Sequence, residues 1–140
     1  MNILYNLSLA SDARILSSIS TYNYPVNYES RRISSLYAYL QDNYTHNISL
    51  AEAADVVKMS KIAFCRFVKK RTGKTFIEIL NDIRLGHAVN LLINTTHTIS
   101  EICFSCGFNN LYYFNRLFLK KKKCTPSELR NKYKKNRIII

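Results

Sequence analysis

At 140 residues the chain has room for one ordinary domain and not two comfortable ones; 47% of it is hydrophobic, so a core can form. Three Gly and two Pro leave long helices unbroken, while no apolar run nears the ~20 residues of a membrane-spanning helix. The net charge of +12 is uneven: residues 1–30 set Arg14 against Asp12 and Glu29, a net −1, and residues 31–140 set the other 20 Lys and Arg against seven acids, a net +13.

Such a basic body behind a near-neutral start predicts a polyanionic partner, because lysine and arginine release counterions when they contact phosphates. Charge alone does not separate DNA from RNA or from an anionic membrane. The start of the chain lacks a basic stretch followed by an apolar one, so no signal peptide is expected. Cys65, Cys103, Cys106 and Cys124 are accordingly read as reduced thiols in the cytoplasm.

Residues 1–29 read as a leader or linker, or as the remnant of an upstream domain; Ile3–Ile19 has the pattern of a weak helix. From Arg31 the pattern sharpens. Ile33, Leu36, Tyr37 and Leu40 predict an amphipathic helix ending near Asp42–Asn47. Four later helix starts carry a capping box, in which Ser or Thr accepts from the amide three residues on and the Glu there bonds back. They are Ser49–Glu52, Thr75–Glu78, Thr98–Glu101 and Thr125–Glu128, the last with Pro126 at the first helical position. Two further helices lack the box. Ser60 caps one, with Phe64, Phe67 and Val68 facing inward; Asn109 or Asn110 caps the other, with Phe114, Leu117 and Phe118 inside.

These pieces repeat. Ser49 to Phe64 is 15 steps and Thr98 to Phe114 is 16; Phe64 to Thr75 and Phe114 to Thr125 are both 11. The chain thus contains one unit of about 50 residues twice. A helix from Phe76 to about Asn94 joins the copies. Its apolar residues Phe76, Ile77, Leu80, Leu85, Ala88, Leu91 and Leu92 cover a broad arc, which predicts packing into both lobes. The expected fold is all-α, about seven helices, with two helix-turn-helix subdomains on a long linker helix. The expected bounds are a leader at 1–29, a bipartite domain at 30–135 and a tail at 136–140. Within the domain, lobe one is about 31–74, the linker helix about 75–94 and lobe two about 97–135.

In each copy a short helix meets a second through a tight turn. The pairs are Ser49–Val57 and Ser60–Lys70 around Lys58-Met59, then Thr98–Cys106 and Asn110–Lys121 around Gly107-Phe108. Gly107 suits a left-handed cap, whereas the first turn lacks a Gly and is the weaker match. A helix-turn-helix presents its second helix to a DNA major groove. With the inner faces assigned, the outer face of the first such helix holds Lys61, Ile62, Cys65, Arg66 and Lys69, and that of the second Leu111, Tyr112, Asn115, Arg116 and Leu119. Arginine can pair with guanine and asparagine with adenine; Ile62 and Leu111 can meet thymine methyls, and Tyr112 a methyl or a phosphate.

The sequence resembles the AraC/XylS family of transcription regulators over about residues 31–134. The resemblance is carried by Ile48-Ser49-Leu50, Ser60, the stretch from Arg66 to Gly73 with Phe76, and Arg84-Leu85 with Ala88 and Leu91-Leu92. In the second half it is carried by Ile99 to Ile102, Gly107-Phe108, Tyr113-Phe114, Arg116, Phe118, Thr125-Pro126 and Arg130. It implies a sequence-specific regulator, an activator rather than a repressor, whose two recognition helices enter successive major-groove segments of double-stranded promoter DNA. Carried over by position, Ile62, Cys65, Arg66, Leu111, Tyr112, Asn115 and Arg116 are the base-reading candidates; Ser60, Lys61, Lys69, Lys70, Asn110, Lys120 and Lys121 are the phosphate candidates. RNA polymerase is a further implied partner, and the effector or dimerisation domain that family members often carry is not evident here. Five positions depart from the family pattern: Val68 for an aromatic, Leu119 for a lysine, Cys65 and Leu111 for long polar readers, and Cys124 for a glycine, which predicts strain before Thr125.

Other residue patterns invite less. Cys103-x-x-Cys106 has no second ligand pair nearby and reads as core, and Cys65 as a surface residue. His46, His87 and His97 show no metal spacing, so no metal or cofactor is expected. The basic runs Lys120–Lys123 and Lys132–Arg137 fit either a solvated face or phosphate contact. No nucleophile–base pair or phosphate-cradling Gly loop is present, so no catalysis is expected. The competing functions are nonspecific nucleic-acid binding and a protein-interaction module.

Overall fold

The structure is a computed structural model that describes residues 24–139, with side chains from Tyr28 to Lys134. The weak helix expected at Ile3–Ile19 lies outside the described residues. The chain divides after Ser35 into two compact units. Among the described residues there are seven helices and no strand: α1 (Tyr24–Asn43), α2 (Leu50–Val56), α3 (Lys61–Thr72), α4 (Phe76–Asn94), α5 (Ile99–Ser105), α6 (Leu111–Lys122) and α7 (Pro126–Ile139). Helix α1 starts earlier than the apolar period suggested, because Pro25 falls in its first turn, where a missing N–H costs nothing. In the first unit Arg32 donates to the Tyr28 hydroxyl at 3.0 Å and lies over its ring.

All four capping boxes close in both directions, with amide-to-hydroxyl distances of 3.0–3.2 Å and return bonds of 2.8–3.1 Å. Each satisfies two amides that a helix start otherwise leaves without partners. The capping carboxylates of Glu52, Glu78 and Glu101 are held below the usual carboxylate range, chiefly by the backbone amides they accept from.

The second unit holds two cores on one rod. Leu36 and Leu40 of α1, Ala53 and Ala54 of α2, and Phe64 and Val68 of α3 close around Phe76, Ile79, Leu80 and Ile83 of α4. Leu85, Ala88 and Leu92 of the same helix meet Ile102, Cys103, Cys106, Phe108, Phe114 and Phe118. Ile83 and Leu85 are two residues apart, hence on nearly opposite sides of a 3.6-residue helix. The rod therefore changes its buried face at its middle, and each half serves one lobe.

That change corrects the expected arc. Ile77 is 53% exposed, although it was assigned to the buried set, while Ile79 and Ile83 are buried without having been singled out. Ile77 lies on the side that lobe two uses further along, but at the rod's beginning, where it borders a groove with Phe104, Phe108 and Tyr113.

Cys103 and Cys106 are fully buried, and burial pushes the Cys106 thiol up to about 11. They fill core positions. Truncating Phe64 or Phe114, each without exposed surface, to Ala would cost about 3–5 kcal/mol.

Candidate nucleic-acid interface

Both short helices end in the same turn. In lobe one Met59 N–H donates to Ala54 C=O at 3.0 Å, with Lys58 at φ +57°. In lobe two Phe108 N–H donates to Cys103 C=O at 3.2 Å, with Gly107 at φ +99°. This six-to-one bond over a left-handed residue stops a helix and redirects the chain. The lobe-one turn thus has the lobe-two geometry without a glycine. Gly107 is further constrained: a Cβ there would collide with the Tyr44 carbonyl oxygen and lie 2.8 Å from Arg84 Nε.

The second helices start alike. The Ser60 hydroxyl accepts from Ala63 N–H at 3.2 Å, and Asn110 Oδ1 accepts from Tyr113 N–H at 2.8 Å, which settles the cap on Asn110. They also end alike, at Gly73 (φ +79°) and Lys123 (φ +64°). The strained residue before Thr125 is therefore Lys123 and not Cys124. Gly107 and Lys58 occupy one left-handed site in the two lobes, and Gly73 and Lys123 the other, so each lobe has one glycine and one lysine.

With starts and ends aligned, α3 and α6 share a register. Lys61, Ile62, Cys65, Arg66 and Lys69 correspond to Leu111, Tyr112, Asn115, Arg116 and Leu119. Phe64 and Val68 in one, and Phe114 and Phe118 in the other, point into the cores. The opposite faces hold the base-reading candidates: Ile62, Cys65, Arg66, Tyr112, Asn115 and Arg116 are exposed, and Leu111 is half-buried against the lobe-two core. The Arg116 guanidinium sits 5.4 Å from the centre of the Tyr112 ring, one helical turn back, a cation–π distance.

The phosphate candidates Ser60, Lys61, Lys69, Lys70, Asn110, Lys120 and Lys121 are all exposed. Several have a structural partner. Ser60 and Asn110 serve as caps, Lys69 Nζ donates to Gly73 C=O at 3.1 Å, and Lys121 lies 3.6 Å from Asp82. The cations closing α3 and α6 also complement the negative helix ends.

The residues that hold the two recognition helices in place were not legible as such. Buried Asn81 donates to the Tyr113 hydroxyl at 2.9 Å, tying α4 to α6. Arg84 donates to Tyr44 C=O and His46 C=O, both at 2.8 Å, and packs over Phe108, so it spans both lobes. Burial pulls its pKa below the ordinary arginine value. Asp82 lies 2.6 Å from Lys74 on one side and faces Lys121 on the other. Arg130 of α7 donates to the carbonyls of Leu92, Thr95 and His97, closing the far end of the rod. Arg84 and Arg130 stood in the sequence as family matches; Asn81 carried only the signal of a polar residue on a buried helical face.

Among the described residues no group of His, Cys, Asp and Glu is placed to hold a metal ion, and no helix is long and apolar enough to cross a membrane.

Two helix-turn-helix units in one register on one connecting helix define the architecture of a bipartite helix-turn-helix domain. Residues 53–132 match the helix-turn-helix domain family, and the chain belongs to that family, in its AraC/XylS type. It is 33% identical over 99 residues to the HTH-type transcriptional activator RhaS of Enterobacter sp. (strain 638), an alignment that takes in 71% of this chain and 36% of that protein. The chain thus spans about a third of the length of that relative. Among solved structures it is similar to the C-terminal domain of AraT, a response regulator from Geobacillus stearothermophilus, with 26% identity and a TM-score of 0.67, over 72% of this chain and 84% of that one. It also shares the fold of the DNA-binding domain of AdpA, a global transcriptional factor solved in complex with a target DNA, with 21% identity and a TM-score of 0.70, over 74% and 94%.

Proposed function

We propose that this chain is a sequence-specific DNA-binding regulator that inserts α3 and α6 into successive major-groove segments of double-stranded promoter DNA. The observation that carries this reading is the shared register of the two helices. Arg66 and Arg116 stand exposed at the same step, on the faces opposite the buried Phe64 and Phe114. Ile62, Cys65, Leu111, Tyr112 and Asn115 complete the base-reading set, and Lys61, Lys70 and Lys120 supply phosphate contacts beside the caps.

The net +13 of residues 31–140 supplies the sequence-independent part of the affinity. Relatives named as activators support activation over repression. RNA polymerase as a further partner and the cytoplasm as the place of action belong to the same proposal. On this reading residues 1–29 are a leader or linker to the bipartite domain, their last residues, from Tyr24, already forming the start of α1.

The test is a salt titration of binding to a duplex selected from a random library and to a scrambled one. Specific reading predicts a ratio of at least about 10³ between them, maintained as salt rises. Affinities that fall in parallel without a ratio would assign the chain to nonspecific binding instead.

A further inference from the structure

Residues 31–140 carry 20 Lys and Arg against seven acids, so the placing of each acid matters. Glu52, Glu78, Glu101 and Glu128 close the capping boxes. Asp42, Asp55 and Asp82 remain. Asp82 stands on the rod between two lysines, one from each lobe. Its Oδ2 lies 2.6 Å from Lys74 Nζ, in the connection that ends lobe one, and its Oδ1 lies 3.6 Å from Lys121 Nζ, in the last turn of α6.

Stability does not account for this triad. The side chains of Lys74, Asp82 and Lys121 remain 51%, 30% and 33% exposed, and ion pairs so open to water add little to a fold. What the carboxylate changes is the charge the lobes can offer to a polyanion. Its hydrogen bond, and then its charge, raise the Lys74 pKa and hold that lysine as a cation against Asp82. Glu78, one turn earlier on the rod, has its carboxyl lowered chiefly by the Thr75 amide, and further by the charges of Lys69 and Lys121. Lys121 therefore lies within the field of two carboxylates.

A lysine adds to DNA affinity by displacing counterions from phosphates, and phosphate contacts carry no sequence information. A lysine already paired must first leave its carboxylate. We infer that Asp82 is a specificity-determining residue, which withholds Lys74 and Lys121 from DNA phosphates and so leaves base contacts a larger share of the affinity. This rests on the proposed DNA reading and adds to it a residue outside both recognition helices. The effect is greatest on nonspecific DNA. There the domain is not held in register and can shift until any free lysine meets a phosphate, whereas base contacts fix its position on a specific duplex.

The experiment uses the full chain with the selected and scrambled duplexes, and follows affinity against salt. Asp82→Asn removes the charge and keeps the size of the side chain. On the scrambled duplex it should steepen the log–log salt dependence by ~1.8, or ~0.9 for each of the two lysines released. It should also lower the ratio of selected to scrambled affinity. Lys74→Gln and Lys121→Gln should each reduce the slope by ~0.9 in the Asp82→Asn background and by less in the parent. Asp42→Asn removes an exposed acid at the end of α1 and should leave the slope unchanged.

An Asp82→Asn slope or ratio equal to the parent's would overturn the inference and leave the DNA reading intact. So would an equal rise from Asp42→Asn, which would mean that net charge alone is at work, or lysine substitutions that act equally in both backgrounds. If the parent itself shows no ratio between the duplexes, the DNA reading fails whatever the slopes, and the selectivity assigned to Asp82 fails with it.

Discussion

The amide of Asn81, in the first half of the connecting helix, donates to the hydroxyl of Tyr113 at 2.9 Å, so the rod between the lobes is bonded directly to the second recognition helix. Asn81 is the buried polar residue of the described core. Removing its partner leaves Asn81, only 7% exposed at the edge of a groove, short of a bond. Tyr113→Phe should therefore destabilise the fold by about 1–3 kcal/mol, read as a lower urea midpoint with an unchanged slope. The unchanged slope matters, because it separates a lost bond from a change in compactness.

The swapped glycines make a paired prediction. Lys123 stands at φ +64°, where its counterpart in lobe one is Gly73. Left-handed backbone costs a residue with a Cβ about 1–2 kcal/mol. Lys123→Gly should stabilise the fold by up to about 1 kcal/mol, the flexibility of glycine in the unfolded chain offsetting part of the relief. Gly107→Ala should do the reverse and more, because strain adds to a collision with the Tyr44 carbonyl. Gly73→Ala meets no atom within 4 Å and should show the backbone cost alone. Thermal melts of the three variants order them: Lys123→Gly above the parent, then Gly73→Ala, then Gly107→Ala.

Acid should loosen the helix starts. Glu52, Glu78 and Glu101 titrate below their ordinary value of 4.5 because each accepts a backbone amide in its capping box. A carboxylate whose pKa is depressed by folding adds stability that is complete above the unfolded value and is lost as pH falls through the folded one. Stability should hold down to about pH 5 and then decline. Replacing these glutamates by glutamine, which can keep the bond without titrating, should flatten the decline. Urea melts between pH 3 and 7 check it.

The four thiols should separate by reactivity. Cys65 is exposed on α3 beside Arg66, whereas Cys103 and Cys106 are buried and burial holds the Cys106 thiol near 11. A thiol reagent at pH 7.5 should label Cys65 first and leave the buried pair intact until unfolding. A selected duplex should protect Cys65, and labelling it beforehand should weaken duplex binding. Equal labelling with and without the duplex would place Cys65 off the reading face.

The features legible in the sequence are those set by neighbours along the chain. Each capping box is a chemistry of residues three apart, so Thr75–Glu78 and its three counterparts could be read directly, and with them the starts of α2, α4, α5 and α7. The inner faces of α3 and α6 were legible because Phe64, Val68, Phe114 and Phe118 keep one period on one side. The burial of α4 was not, since its face switches between Ile83 and Leu85 and a single arc cannot describe it; Ile77 was misassigned for that reason. The bonds of Asn81 to Tyr113 and of Arg84 to Tyr44 join residues 32 and 40 positions apart, and nothing local announces them. The left-handed turn at Lys58 was hidden because lysine gives no sign of the conformation that glycine advertises at Gly107.

The most direct measurement is the affinity of the parent, Arg66→Ala and Arg116→Ala for a selected duplex and for every single-base-pair variant of it. Each substitution should cost about 1–3 kcal/mol on the selected duplex and erase the preference at one base pair, a different one for each arginine. An equal loss on all duplexes, with every preference retained, would mean that both arginines hold phosphates and would contradict the account of two sequence-reading helices.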